Sequence, residues 1–177
     1  MTLEKKMTDY RTEKDSIGQV KVPKQKFWGA QTQRSLENFK IGSDKIPISF
    51  IKAFAMQKKA AAISNIALDK LDNKLGQEII NVCDEIMEGK LDDHFPLSVW
   101  QTGSGTQTNM NLNEVLANKG NQNLGKNLGE YIPIHPNDHC NMGQSSNDSF
   151  PTAMHISTSK IAKDKLFPAI NNLIKTL

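Results

Sequence analysis

The chain has 177 residues, 37% of them hydrophobic and 23% charged, enough for one domain with a real core and too few for two ordinary ones. Nothing in it reaches the length of apolar run that a membrane span needs, so no membrane partner is expected. Its net charge of +3 comes from 20 Lys and 2 Arg. These are scattered singly or in pairs such as Lys5-Lys6 and Lys58-Lys59, without the basic stripe of a nucleic-acid binder, and they read as solvated lysines. Met1 to Ser16 mixes Lys with Glu and Asp and has no apolar h-region. That argues against a secretory signal or an Arg-rich transit peptide and points to the cytoplasm.

In chain order, Tyr10 to Trp28 alternates short β-prone pieces with turn residues and Pro23, the pattern of an extended arm or small hairpin. Gln31 to Phe39 can form a short helix. Pro47 opens a longer one running to about Leu71, with Ile51, Phe54, Ala55, Ala62 and Ile66 at helical spacing. Ile79, Val82, Cys83, Ile86 and Met87 fall at i, i+3, i+4, i+7 and i+8, and Gly89 follows as a stop. Leu112, Val115 and Leu116 mark a helix from about Thr106 to Lys119. A loop rich in Asn and Gly follows from Gly120 to Asn147. Asp148 then reads as a cap ahead of Pro151 in a first turn. That last helix carries an apolar stripe of Ile170, Leu173, Ile174 and Leu177, and Pro168 should kink or divide it. The expected fold class is mainly α with a small β arm.

Cys83 is expected to be a buried thiol on its helical stripe and Cys140 to lie in a polar loop. Neither has CxxC or metal spacing, and no disulfide is expected in a reducing compartment. There is no P-loop, no HExxH and no complete dinucleotide loop around Gly103-Ser104-Gly105. Asn147-Asp148-Ser149 matches a glycosylation acceptor, which a cytoplasmic location makes a chance match. His94, His135, His139 and His155 show no ligand pattern.

Three polar clusters remain. Thr102-Gly103-Ser104-Gly105-Thr106 runs straight into a helix, offering hydroxyls and free backbone N–H groups to an anion; alone, it would read as simple capping by Ser104 or Thr106. Ser145-Ser146-Asn147 has the same chemistry ahead of the next helix, where capping explains one residue and hardly three. His135-Pro136-Asn137-Asp138 reads as a tight turn whose Asn and Asp bond their own backbone. Two hydroxyl-lined helix starts with few cations nearby suit a small carboxylate better than a phosphate ester.

These clusters and their surroundings resemble the fumarase/aspartase superfamily. The stretches Arg11 to Gly18, Trp28 to Leu36, Trp100 to Asn111, Asn113 to Asn118, His135 to Asp138, Gln144 to Asp148 and Phe150 to His155 look like class II fumarate hydratases, in the family's order. Aspartases have alanine where Ser104 stands and threonine where Ser146 stands, so the resemblance favours fumarase; the alternatives are an aspartate ammonia-lyase or an inactive fragment acting as a folded binding module.

The resemblance implies a hydro-lyase of the citric acid cycle. It interconverts fumarate and L-malate without metal or organic cofactor, as a homotetramer. It implies an N-terminal lyase domain over 1–147 and the start of a central helical bundle over 148–177. Substrate carboxylates would be held by Ser104, Gly105, Thr106, Ser145, Ser146 and Asn147. His135, Pro136, Asn137 and Asp138 would form a second dicarboxylate site, although some fumarases have an arginine near Ile132 that this chain lacks. The family's catalytic serine and histidine belong to motifs not found here, so no catalytic residue is expected within this chain, and the chain alone is expected to be inactive.

Overall fold

The computed structural model describes residues 9–177; the targeting-segment reading of Met1 to Ser16 falls, for residues 1–8, outside them. The chain forms a hairpin of β1 (Tyr10–Lys14) and β2 (Gln19–Pro23), then helices α1 (Ala30–Asn38), α2 (Ile48–Ala67), α3 (Asn73–Met87), α4 (Thr106–Asn123), α5 (Ser146–Ile161) and α6 (Phe167–Thr176). A 3-10 turn spans Asp92–His94, and wider π-type turns span Pro136–Cys140 and Ala162–Leu166. Mainly helical with a two-stranded arm is therefore the observed class.

The arm pairs antiparallel from Tyr10↔Pro23 to Lys14↔Gln19, and strand alternation sends Val20 and Val22 inward. Both arginines fasten it. Arg11 donates to the carbonyls of Pro23, Lys26 and Trp28 at 2.9, 2.7 and 2.6 Å. Arg34 reaches from α1 to grip Asp15 at the hairpin tip through Nε and Nη2, at 2.6 and 2.8 Å. This fork-to-carboxylate geometry suits guanidinium and not lysine, and it holds the Asp15 carboxyl below its ordinary range.

The core gathers Ile51, Phe54 and Ala55 of α2, Ile79, Val82, Cys83 and Ile86 of α3, and Leu112, Val115 and Leu116 of α4. Helix α4 runs through the middle of it with Asn109, Asn111, Asn113, Asn118 and Asn121 also buried. Several of these serve as backbone clamps. Asn118 donates to Phe27 O at 2.8 Å and accepts from Gly129 N–H at 2.8 Å. Asn121 exchanges two 2.8 Å bonds with the backbone of Ile134, and Asn111 donates to His94 O at 3.1 Å. A carboxamide offers donor and acceptor together, so the asparagines let irregular loops lie against a buried helix without stranding their polar groups.

Several expectations need correction. Helix α2 ends at Ala67, not near Leu71, because Asp69 turns to φ 53° and the N–H groups of Lys70 and Leu71 fold back onto Asn65 O. Helix α4 continues four residues past Lys119: Gly120 is not a stop, since a Cβ there would meet Ile134 Cδ1 at 2.8 Å. Close packing explains that glycine. Helix α5 begins at Ser146 with Ser145 as its cap, so Asp148 is not the cap and Pro151 lies in the second turn. Cys140, expected in a polar loop, is buried; both cysteines are free thiols. Pro168 does not break the chain out of helix: the backbone stays helical through Leu166 and Phe167, and the five residues before α6 widen into a π-type turn that accommodates the proline. Ile170, Leu173, Ile174 and Leu177 remain exposed along α6. Among the described residues, no helix is long and apolar enough to cross a membrane.

Candidate functional site

The starts of α4 and α5 lie side by side, and a glycine makes this possible. Gly105 sits at φ 71° immediately before α4, a left-handed conformation that a side chain disfavours. A Cβ there would lie 2.2 Å from Phe150 Cγ. Phe150, in the first turns of α5, packs instead on Phe50 and Phe54 of α2, with ring centroids 4.8 and 6.1 Å away.

The result is a row of hydroxyls contributed by segments forty residues apart in sequence. Ser104 Oγ lies 3.0 Å from Thr106 Oγ1, and Thr106 Oγ1 lies 3.1 Å from Ser146 Oγ. Thr102 Oγ1 extends the row to Ser104 at 3.4 Å and donates to Gln107 Oε1. Capping of α4 by Ser104 or Thr106 does not occur. Gln101 does it, its Oε1 accepting from Thr108 N–H and Oγ1, both at 3.1 Å. Ser145 caps α5, accepting from Asn147 N–H at 3.2 Å. Capping therefore consumes Gln101 and Ser145 and leaves the hydroxyls of Ser104, Thr106 and Ser146 bonded only along the row, Ser104 also meeting Thr102. Ser104, Thr106 and Asn147 are exposed. The backbone N–H groups of Thr106, Gln107 and Ser146 have no acceptor among the described residues. Donors without acceptors at two converging helix starts are the kind of group that a small anion pairs with.

The turn at His135 is organised differently. His135 Nδ1 accepts from the N–H groups of Asn137 and Asp138, both at 3.3 Å, so the histidine supplies the cap expected of the Asn and Asp side chains. Its own N–H donates to His139 Nδ1 at 2.8 Å. Asp138 Oδ2 lies 3.2 Å from the same His135 nitrogen. Beneath the turn lies a cavity of about 320 Å³ that His135, Pro136 and Asn137 share with Lys14, Asp15 and Glu114.

Two buried carboxylates stand behind this cavity. Glu114 accepts from Gly29, Gln31 and Thr32 N–H at 2.9, 2.8 and 3.1 Å and from Thr32 Oγ1 at 2.6 Å. Glu13 accepts from Ala30 N–H at 3.0 Å and Tyr131 O–H at 2.8 Å. Together they satisfy the start of α1. Burial lifts the Glu114 carboxyl to about 7 despite its four donors, and burial beside the two acids pushes the Tyr131 phenol up. The same cavity also presents the polar side chains of Lys14, Ser16, Gln31 and Asn137.

None of the histidines is placed as a base for the hydroxyl row. His94 accepts Phe27 N–H at 2.9 Å and stacks on the Phe27 ring, and burial lowers its pKa to about 4; His155 is exposed on α5. No cluster of His, Cys, Asp or Glu among the described residues could hold a metal. One residue behind the row escaped sequence reasoning. Lys58, read as a solvated lysine, is 1% exposed, and desolvation drops its pKa to about 7. Its place on the buried face of α2, four residues from Phe54, was the available signal.

The family model described as Lyase matches residues 18–177. The chain belongs to the lyase family. Among its relatives, the class II fumarate hydratase of Brucella suis is 56% identical over 171 residues, which cover 97% of this chain and 37% of that protein. The class II fumarate hydratase of Thermus thermophilus is 54% identical over 170 residues, covering 95% and 36%. Among solved structures, a class II fumarase from Schistosoma mansoni superposes with a TM-score of 0.91 at 44% identity, over 94% of this chain and 35% of that one. A fumarate lyase:delta crystallin from Brucella melitensis gives 0.81 at 41% identity, over 84% and 35%. This lyase-family chain thus spans little more than a third of the length of the relatives it matches.

Proposed function

We propose that this chain supplies the dicarboxylate-holding face of a class II fumarate hydratase, which adds water reversibly to fumarate to give L-malate. The observation that carries this reading is the hydroxyl row of Ser104, Thr106 and Ser146 at two adjoining helix starts, with donors that no capping consumes. In the malate direction a base removes a proton from the carbon next to a carboxylate, and that carboxylate takes up the developing charge. Donors already in place around it lower the barrier by electrostatic preorganisation. Asn147, exposed beside the row, would share in holding substrate and placing water. Ser145 acts one step back by capping α5, and Gly105 by admitting Phe150. The chain has donors for the substrate and no base for the carbon-bound proton, so by itself it is inactive. We assign residues 1–147 to an N-terminal lyase domain and 148–177 to the opening of a helical bundle, working in a cytoplasmic homotetramer of the citric acid cycle. Ser104 and Ser146, at the positions where aspartases carry alanine and threonine, weigh against aspartate as substrate.

The test is a graft. Residues 18–177 replace the matching segment of the Brucella suis class II fumarate hydratase, and fumarate is followed by its absorbance. Fumarate turnover without ammonia release from L-aspartate is the expected result. An assembled graft that leaves fumarate untouched, or that releases ammonia from L-aspartate at a comparable rate, contradicts the reading.

A further inference from the structure

Among the described residues, the buried amine of Lys58 meets no carboxylate. An ammonium has three protons to give, and its one hydrogen-bond acceptor is Asn141 Oδ1 at 2.9 Å; the Phe54 ring centroid lies 5.5 Å from Nζ. The titratable groups facing it are the buried thiols Cys83 of α3 and Cys140 of the π-type turn. An unpaired buried charge is costly, and a methionine would fill the same space without that cost. The use of the amine lies in what Asn141 does with its other bonds.

Asn141 Oδ1 also accepts from Asn109 and Asn113 of α4, at 3.1 and 3.3 Å. Its Nδ2 donates to Gln144 O at 3.0 Å, which fixes the orientation of the carboxamide. Gln144 is held in turn by Gln57 of α2, whose Nε2 donates to its Oε1 at 3.3 Å. The next residue is Ser145, the cap of α5, and then Ser146, whose hydroxyl meets Thr106. On the other side, Asn109 lies one turn along α4 from Thr106. Asn141 is therefore a common point between the two halves of the hydroxyl row, and Lys58 is the group that anchors it to α2. The cluster is held at a cost: Gln57 Oε1, Asn109 Oδ1 and Asn113 Oδ1 are buried without donors. Such orphans call for an explanation other than stability.

We propose that Lys58 is a positioning residue, which through Asn141 sets the register of the α5 start against the α4 start and so the spacing of Thr106 and Ser146. Its bearing on catalysis rests on the reading of the hydroxyl row as the substrate site; its bearing on local order does not. Two variants test it. Lys58→Met removes the anchor and keeps the volume. Asn141→Asp keeps an acceptor for Lys58, Asn109 and Asn113, adds a charge that pairs with Lys58, and sets a carboxylate oxygen against Gln144 O where the donor stood.

In the 177-residue chain, hydrogen exchange at the amides of Asp148 and Ser149 should quicken roughly tenfold in both variants, while the amides from Ile79 to Ile86 of α3 keep their rates. Exchange that is unchanged at Asp148 and Ser149, or that changes there and in α3 alike, overturns the proposal. In the grafted hydratase, both variants should raise KM for fumarate roughly tenfold, with a smaller fall in kcat; unchanged KM in both overturns the link to catalysis. A graft inactive before either substitution counts against the substrate reading, and the exchange result then decides the positioning role.

Discussion

The hydroxyl row and the His135 turn are both short polar runs opening a helical segment, yet they end in opposite states. At His135 the motif caps itself: its own Nδ1 holds the turn, Glu13 and Glu114 below it are taken up by the start of α1, and the Asn137 side chain stays exposed. At Ser104, Thr106 and Ser146 the capping is delegated to Gln101 and Ser145, and the hydroxyls bond along the exposed row, where a ligand can take them over. A polar motif at a helix start is structural when its own backbone uses it. It becomes a candidate site when another residue has taken over that duty.

The same contrast orders the expected effects of substitution. The largest belongs to the saturated region. Glu114→Ala strands four donors and should cost about 3 kcal/mol or more of stability, read by denaturant unfolding; a loss under about 1 kcal/mol would mean that water replaces the carboxylate there. Next comes the open region. Thr106→Ala in the grafted hydratase should lose a hydrogen bond to a charged group, about 1.5–3 kcal/mol of transition-state stabilisation, or roughly 10- to 150-fold in kcat/KM, with stability unchanged.

Gly105→Ala bridges the two kinds of effect. It strains a φ of 71° and drives a methyl into Phe150, so it should cost about 2 kcal/mol of stability and lower turnover as well.

A smaller effect is visible only as a pH slope. Lys58 holds its proton to about 7 in the fold against 10.5 in the open chain. The unfolded chain therefore binds the extra proton between those values, and stability rises with pH there by up to about 1.4 kcal/mol per unit. Burial pushes Cys140 up to about 12 and Cys83 higher, so unfolded thiols ionising near 9 bring an opposing slope above that pH. The clean window is pH 7 to 9, and Lys58→Met should flatten it; an unaltered slope would place Lys58 in contact with water. The smallest effect is Asn137→Ala, an exposed side chain on the turn, expected within about 0.5 kcal/mol in both stability and turnover.

Much of the fold was legible because the apolar periodicity of α3 is strong and local and the Ala-rich centre of α2 has high helix propensity. The ends of α2 and α4 were not, since they are decided by Asp69 turning left-handed and by Gly120 fitting under Ile134, both tertiary facts. The loop reading from Gly120 onward took in Asn121, which lies in α4; with Asn111 and Asn118 it is a backbone clamp inside the core. At the site, the two hydroxyl clusters could be found from helix-start chemistry, but nothing in the sequence shows that Thr106 and Ser146 touch. Lys58 was missed because a lysine beside a second lysine reads as surface, and only the burial of its face of α2 distinguishes it from Lys59, which pairs with Asp84 at 2.7 Å.

The central claim is that donors spared from capping hold the substrate, while donors used in capping do not. Steady-state kinetics of the grafted hydratase carrying Thr106→Ala or Asn137→Ala measures this directly. The expected result is a ratio of kcat/KM losses of roughly tenfold or more in favour of Thr106. Equal losses for the two substitutions would contradict the claim and make the hydroxyl row and the His135 turn equivalent.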